Sequence, residues 1–308
     1  MKARHFTWIL LMGLLGILLP SRWSMSSPAP ETPPQKTEKA SENAQAPLVF
    51  GMTPVVGKEA TAERFRALTE HMSLELGRPV SLVVTESYGD LIDRMTRGEI
   101  DLAKFSPLAY VRAKRQLPAL QLIASHVAAG SVNYSSYLVA PAGNPHSNIK
   151  RLRGARICFA DPNSTSGYLF PLHHLLSLGL VPERDFASVE FAGDHRRCLE
   201  GLFAGRYDVA ATWAGALRDA RTAGLDVGEL AIVAKTGRIP YDAYCLRPGL
   251  HPGLAQRVQT VLLELNTLTR KGRRVLSRTL SINGWVPGND ALYDGIRHVE
   301  AKVRQAIP

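Results

Sequence analysis

From Leu48 onward two kinds of hydrophobic pattern alternate, and that alternation limits the fold more than any other feature of the chain. Short apolar runs at 48–52, 80–85, 100–103 and 120–126 read as strands. Between them, 61–76 carries Phe65, Leu68, Met72 and Leu76 at three- and four-residue spacing and stops at Gly77, the pattern of an amphipathic helix. Residues 88–96 put Leu91, Ile92 and Met95 on one face before Gly98, and 107–115 opens a helix with Pro107. A second series follows, with strands predicted at 156–160, 189–192, 208–212 and 230–235 and helices at 167–178 and 195–203. The tail returns to helix: Leu254, Val258, Val261, Leu262 and Leu265 share a face, and 290–306 reads as helical. Strands alternating with helices predict parallel α/β sheets, and two such series predict two lobes. Ligands of open α/β sheets sit beyond the carboxyl ends of strands, at helix N-termini.

The residues before Leu48 belong to a different class. Lys2 and Arg4 precede an apolar run over 6–19 that Pro20 stops, which reads as an export signal; an uncleaved N-terminal anchor over 1–26 is the other reading. The run is short for a membrane span, which needs about 20 apolar residues. No Cys precedes Cys158, so lipid modification of a cysteine just after the signal is excluded. Residues 27–47 offer Pro, Ala, Ser, Glu, Gln and Lys and almost nothing to bury, so they are predicted to form a disordered linker. Of the formal charge of +10, +8 lies in 48–308, which favours anionic ligands or surfaces. No basic–aromatic stripe or zinc-finger spacing points to nucleic acid. Cys158, Cys198 and Cys245 form no C-x-x-C; one disulfide suits an exported chain, with the pairing open, and Cys158 inside Ile157-Cys158-Phe159 reads as a small buried hydrophobe.

The chemistry concentrates in Asp161-Pro162-Asn163-Ser164-Thr165-Ser166-Gly167, a polar loop between a predicted strand and a predicted helix. Three hydroxyls donate hydrogen bonds. The N–H groups of a first helical turn have no intrahelical partner, and the helix dipole puts partial positive charge there. A tetrahedral oxyanion finds donors in such a place without a buried counter-ion. Gly167 permits close backbone approach. The competing reading is a plain helix N-cap, for which Ser and Thr are preferred in any case.

The stretch from Asp161 through Tyr168-Leu169-Phe170-Pro171 resembles the central signature of the phosphonate/phosphite/phosphate solute-binding proteins of ABC importers, the PhnD-like family. Phe191-Ala192-Gly193-Asp194-His195, followed by Asp208-Val209-Ala210-Ala211, is similar to that family's Gly-x-His and Asp-x-Ala elements. Gly98-Glu99-Ile100-Asp101-Leu102-Ala103 with Ser106-Pro107 and Tyr110, and Tyr134-Ser135-Ser136-Tyr137-Leu138-Val139, extend the resemblance over about 48–290. It implies an α/β type II periplasmic-binding-protein fold: two lobes, taken as 48–140 with 238–308 and as 141–237, closing on a ligand. It implies that Ser164, Thr165 and Ser166 take the phosphorus-bound oxygens, that His195 bonds another, and that Tyr134 and Tyr88 reach in from the other lobe. Delivery to an ABC permease in the inner membrane, an extracytoplasmic site of action and a monomeric state follow from the same resemblance. A sensor module reporting to a membrane partner, or the same fold holding a sulfonate, are the alternatives.

Two positions depart from the family. Arg196 follows His195 where an acid is frequent, and Trp213 follows Thr212 where an acid also occurs. Both argue against a ligand bearing an amine. Arg196 has two readings, a cleft residue pairing with anionic oxygen or a solvated first-turn residue. Trp213 reads as a cleft wall or as core. No enzyme is predicted: Gly-x-Ser-x-Gly and the P-loop are absent, and His173-His174 stand mid-helix with no acid placed to orient them. His71, His126 and His146 lack metal-ligand spacing, so neither metal nor cofactor is expected.

Overall fold

Two sheets organise the described residues, 46–279 and 281–307 of the computed structural model. The signal or anchor expected over 1–26 lies outside them, as does all of the linker expected over 27–47 except its last two residues. Among the described residues no helix is long and apolar enough to cross a membrane.

The first sheet holds β1 (Leu48–Met52), β2 (Val80–Val84), β3 (Leu102–Phe105), β4 (Gln121–Ala128), β10 (Ala243–Leu246) and β11 (Ile282–Pro287) in the order β11-β4-β10-β3-β1-β2. Around it lie α1 (Lys58–Leu76), α2 (Tyr88–Thr96), α3 (Pro107–Gln116), α7 (Pro252–Glu264), α8 (Arg270–Leu276) and α9 (Asp294–Ala306). The second sheet holds β5 (Asn133–Pro141), β6 (Arg156–Phe159), β7 (Ser188–Phe191), β8 (Val209–Trp213) and β9 (Leu230–Pro240) in the order β7-β6-β8-β5-β9, with α4 (Phe170–Ser177), α5 (His195–Phe203) and α6 (Ala214–Thr222). Phe50 and Met52 of β1 pack with Phe65, Leu68 and Met72 of α1, so the period-2 and period-3.6 patterns meet in one core. Ile157, Phe159, Val209 and Leu175 form the matching core of the second lobe. Burying each such side chain contributes about 1.5–3 kcal/mol.

Both sheets are mixed rather than parallel. The sequential strands β2-β1-β3 and β7-β6-β8 are parallel, as the alternation predicts, but β10 runs antiparallel to β3 and β4, and β5 antiparallel to β8 and β9. These are the strands by which the chain enters one sheet from the other. The segment 133–140, grouped with the first series of strands on sequence grounds, pairs in the second sheet. β5 is bonded on both sides within the second sheet, and β9 remains there through Pro240, paired with Asn133. The apolar pattern of 133–141 suits either sheet; only its cross-strand partners assign it. The two crossings run side by side, with Tyr241 N–H donating to the Val132 carbonyl at 3.1 Å.

Cys158 of β6 and Cys198 of α5 are joined in a disulfide, their Cα atoms 5.7 Å apart, while Cys245 is free and buried. The bond closes a 40-residue separation, for which chain entropy supplies about 4 kcal/mol of stabilisation. It staples the strand that leads into the 161–167 loop to the helix that begins at His195. Such a bond persists in an oxidising compartment.

Candidate functional site

The loop after β6 is built by its own side chains. Asp161 Oδ1 accepts from the Asn163 N–H at 2.7 Å, and the Asp161 carbonyl from the Ser164 N–H at 2.8 Å. Ser164 caps the next turn, its Oγ accepting from the Gly167 N–H at 3.0 Å. That turn, Thr165–Leu169, is a π-helical turn rather than the α-helix start predicted at 167. The Leu169 N–H reaches back five residues to the Ser164 carbonyl at 3.1 Å. The wider ring presents Thr165 and Ser166 together at the helix entrance, a geometry common at functional sites. Burial raises the Asp161 carboxyl above its ordinary value, opposed by the N–H groups of Asn163 and Tyr88.

What remains free on each hydroxyl decides what the loop can bind. Ser164 Oγ accepts from Gly167, and Thr165 Oγ1 accepts from the Leu108 N–H at 2.8 Å, at the start of α3 in the other lobe. A hydroxyl whose lone pair is engaged by an N–H still has its single proton to give. Ser166 Oγ lies 3.4 Å from His195 Nε2. Burial pushes the phenols of Tyr88 and Tyr134 above their ordinary range, against the opposing pull of Ser164 and Ser166, so both stay protonated and neutral.

His195 opens α5, whose N-cap Asp194 accepts from the Arg197 N–H at 2.9 Å. Burial lowers its imidazole to about 4, against the opposing pull of the Ala211 carbonyl and Asp242. It is neutral at pH 7. On unfolding it regains its ordinary value of 6.5, so below that pH the unfolded chain takes up a proton that the folded one refuses. Stability is therefore complete above 6.5 and falls as pH drops toward 4, by about 3 kcal/mol from this group. His126, lowered to about 3 by burial, adds to the loss, while the raised carboxyls of Asp161 and Asp194 oppose it at the acid end. The melting temperature is expected to fall between about pH 7 and about pH 5, with part of the slope removed by His195→Gln. An identical slope in that variant would show that His195 is not buried neutral.

Ser164, Thr165, Ser166, His195, Tyr134 and Tyr88 line one cavity of about 40 Å³. A water needs about 10–15 Å³ measured this way, so there is room for a tetrahedral ion with a small substituent and not for a nucleotide. Trp213, 9% exposed, forms a wall, edge-on to Tyr134 at 5.2 Å; Tyr134 in turn stacks on Tyr241 at 4.9 Å. Arg196 is neither a cleft cation nor a solvated residue. Its guanidinium lies 3.5 Å from Asp219 of α6, a buried carboxylate that Arg64 of α1 also meets from the other lobe.

Among the cavity residues that escaped the sequence reading are Lys104, His126, Tyr241 and Asp242. Lys104 of β3 is ion-paired with Asp242 at the β9–β10 crossing. The signal was present, because Lys104 stands inside Leu102-Ala103-Lys104-Phe105 and Asp242 inside Tyr241-Asp242-Ala243-Tyr244-Cys245. A lone charge in an apolar run is buried with a partner or marks a site. Among the described residues no group of three or more His, Cys, Asp or Glu is placed to hold a metal.

Residues 50–293 match the family model for the periplasmic substrate-binding protein of phosphonate ABC transporters. The chain belongs to that family. Among its relatives in the phosphonate-binding family is the phosphate-import protein PhnD of Mycolicibacterium smegmatis, 26% identical over 86% of this chain and 88% of the relative. The binding-protein component of an ABC phosphonate transporter from Pseudomonas aeruginosa superposes with a TM-score of 0.79 at 20% identity, over 85% of this chain and 88% of that one. PhnD1 from Prochlorococcus marinus, solved with methylphosphonate, gives 0.73 at 19% identity, over 83% and 98%. The fold is accordingly the two-lobed type II fold of periplasmic binding proteins.

Proposed function

We propose that this member of the phosphonate-binding family holds a small phosphorus oxyanion (phosphite, phosphate or a short alkylphosphonate) between its lobes, outside the cytoplasm, as a monomer, and passes it to an ABC permease in the inner membrane without a covalent step. The observation that carries this reading is the state of the hydroxyls. Ser164 and Thr165 each have a lone pair engaged by a backbone N–H and a proton left to give, beside Ser166 and neutral His195, Tyr88 and Tyr134. Neutral donors held in place before the ligand arrives bind charge strongly in a dry cleft. The phosphate and methylphosphonate named for the relatives are consistent with this donor set.

Closure is supported by bonds that cross between the lobes. Ser106 Oγ donates to the Asn163 carbonyl at 3.0 Å, and Arg112 donates to the Pro162 carbonyl at 3.0 Å and to Asn163 Oδ1 at 2.7 Å. In this reading the lobes divide at the crossings near 132 and 241. Calorimetric titration with phosphite, phosphate, methylphosphonate, 2-aminoethylphosphonate and sulfate tests the assignment. Binding of at least one of the first three in preference to sulfate is expected. Silence toward every phosphorus ligand sinks the proposal, and preference for sulfate transfers it to sulfur oxyanions.

A further inference from the structure

Lys104 and Asp242 place an ammonium and a carboxylate inside a cavity whose other lining residues are neutral. Lys104 faces Tyr244 across the antiparallel β3–β10 pair, so Asp242, two residues before Tyr244, is its diagonal neighbour on the same face. The Lys104 side chain is 5% exposed, and its ammonium lies 5.8 Å from the centre of the Phe65 ring. The charge of Asp242 is felt at His195, Tyr88, Tyr134 and His126, and that of Lys104 at His126 as well. The carboxylate and the ammonium thus share one cavity with the oxyanion donors.

We infer that Lys104 is a specificity-determining residue: its ammonium occupies the place beside Asp242 that the amine of an aminoalkylphosphonate would take, so the site selects phosphorus oxyanions with no substituent or a small uncharged one. This rests on the phosphorus-oxyanion reading above. A ligand amine reaching from the 164–166 donors toward Asp242 finds the carboxylate already neutralised and a like charge next to it in a water-poor space, where repulsion is strong. The tethered cation also suffers no loss of translational freedom on pairing, unlike a ligand amine. The bias against amines argued from Arg196 in the sequence is therefore carried by a different residue.

The test compares ethylphosphonate with 2-aminoethylphosphonate by calorimetry on the wild type, Lys104→Ala and Lys104→Met. The wild type is expected to bind the amino compound about tenfold or more weakly than ethylphosphonate. Lys104→Ala, which frees Asp242, is expected to gain about tenfold or more for the amino compound alone. Should that variant fail to fold, Lys104→Met, which retains most of the stem volume, makes the same comparison without the charge. Equal gains for both ligands would mean that Lys104 acts by bulk, and a wild type that favours the amino compound would also overturn the inference, in each case with the phosphorus-oxyanion reading intact. A wild type that binds no phosphorus ligand removes both.

Discussion

Thr165→Val is expected to weaken ligand binding by two to three orders of magnitude while leaving the melting temperature of the ligand-free protein nearly unchanged. Valine matches threonine in shape, so the fully buried side chain keeps its packing. Two hydrogen bonds are lost instead. The ligand loses a donor, for which a bond to a charged group is worth about 1.5–3 kcal/mol, and the Leu108 N–H, now at 2.8 Å from Thr165 Oγ1, is stranded at about 1–3 kcal/mol. The second loss arises only when the lobes close, because water satisfies that N–H when they part, so it registers in affinity rather than in the stability of the open form. Calorimetric titration alongside a thermal melt separates the two. Unchanged affinity would return the loop to a plain helix cap.

Gly167→Ala is expected to be nearly as damaging, by crowding. A Cβ there would stand 2.4 Å from Ala160 Cβ, 2.8 Å from Ser164 Oγ and 2.9 Å from His195 Cε1. Ala160 directly follows β6, is fully buried and has no side-chain torsion with which to give way, so the loop must lift away and move Ser164 and His195 apart. Overpacking of this kind costs about 1–3 kcal/mol of stability. Displacing donors by about 0.5 Å also spoils a preorganised site, so affinity is expected to fall by about tenfold or more beyond the stability effect. Ligand titration and denaturant unfolding of the variant give the two numbers. A variant that unfolds and binds like the wild type would show that the contact is relaxed at no cost.

The strand–helix alternation, the helix over 195–203 and the loop between a strand and a helix were legible in the sequence, because periodicity and capping act within a few residues. Asp194 three residues before Arg197, and Ser164 three before Gly167, are caps whose donors and acceptors lie in one short segment. The family resemblance pointed to all six proposed ligand-binding residues, which the fold gathers on one cavity. Nothing local announces the four-residue strand Ala243–Leu246, too short for its period to register, or assigns 133–141 to the second sheet. The disulfide between Cys158 and Cys198 was one of several possible pairings until β6 and α5 were packed together. Lys104 and Asp242 stand 138 residues apart, and Arg64 meets Asp219 from the other lobe. The sequence by itself determined most of the segments that form strands and helices and singled out the loop proposed to cradle an oxyanion. Only the tertiary structure decided which charges face each other, since those pairings depend on two chain crossings and a sheet order, and a residue's own neighbours carry no record of either.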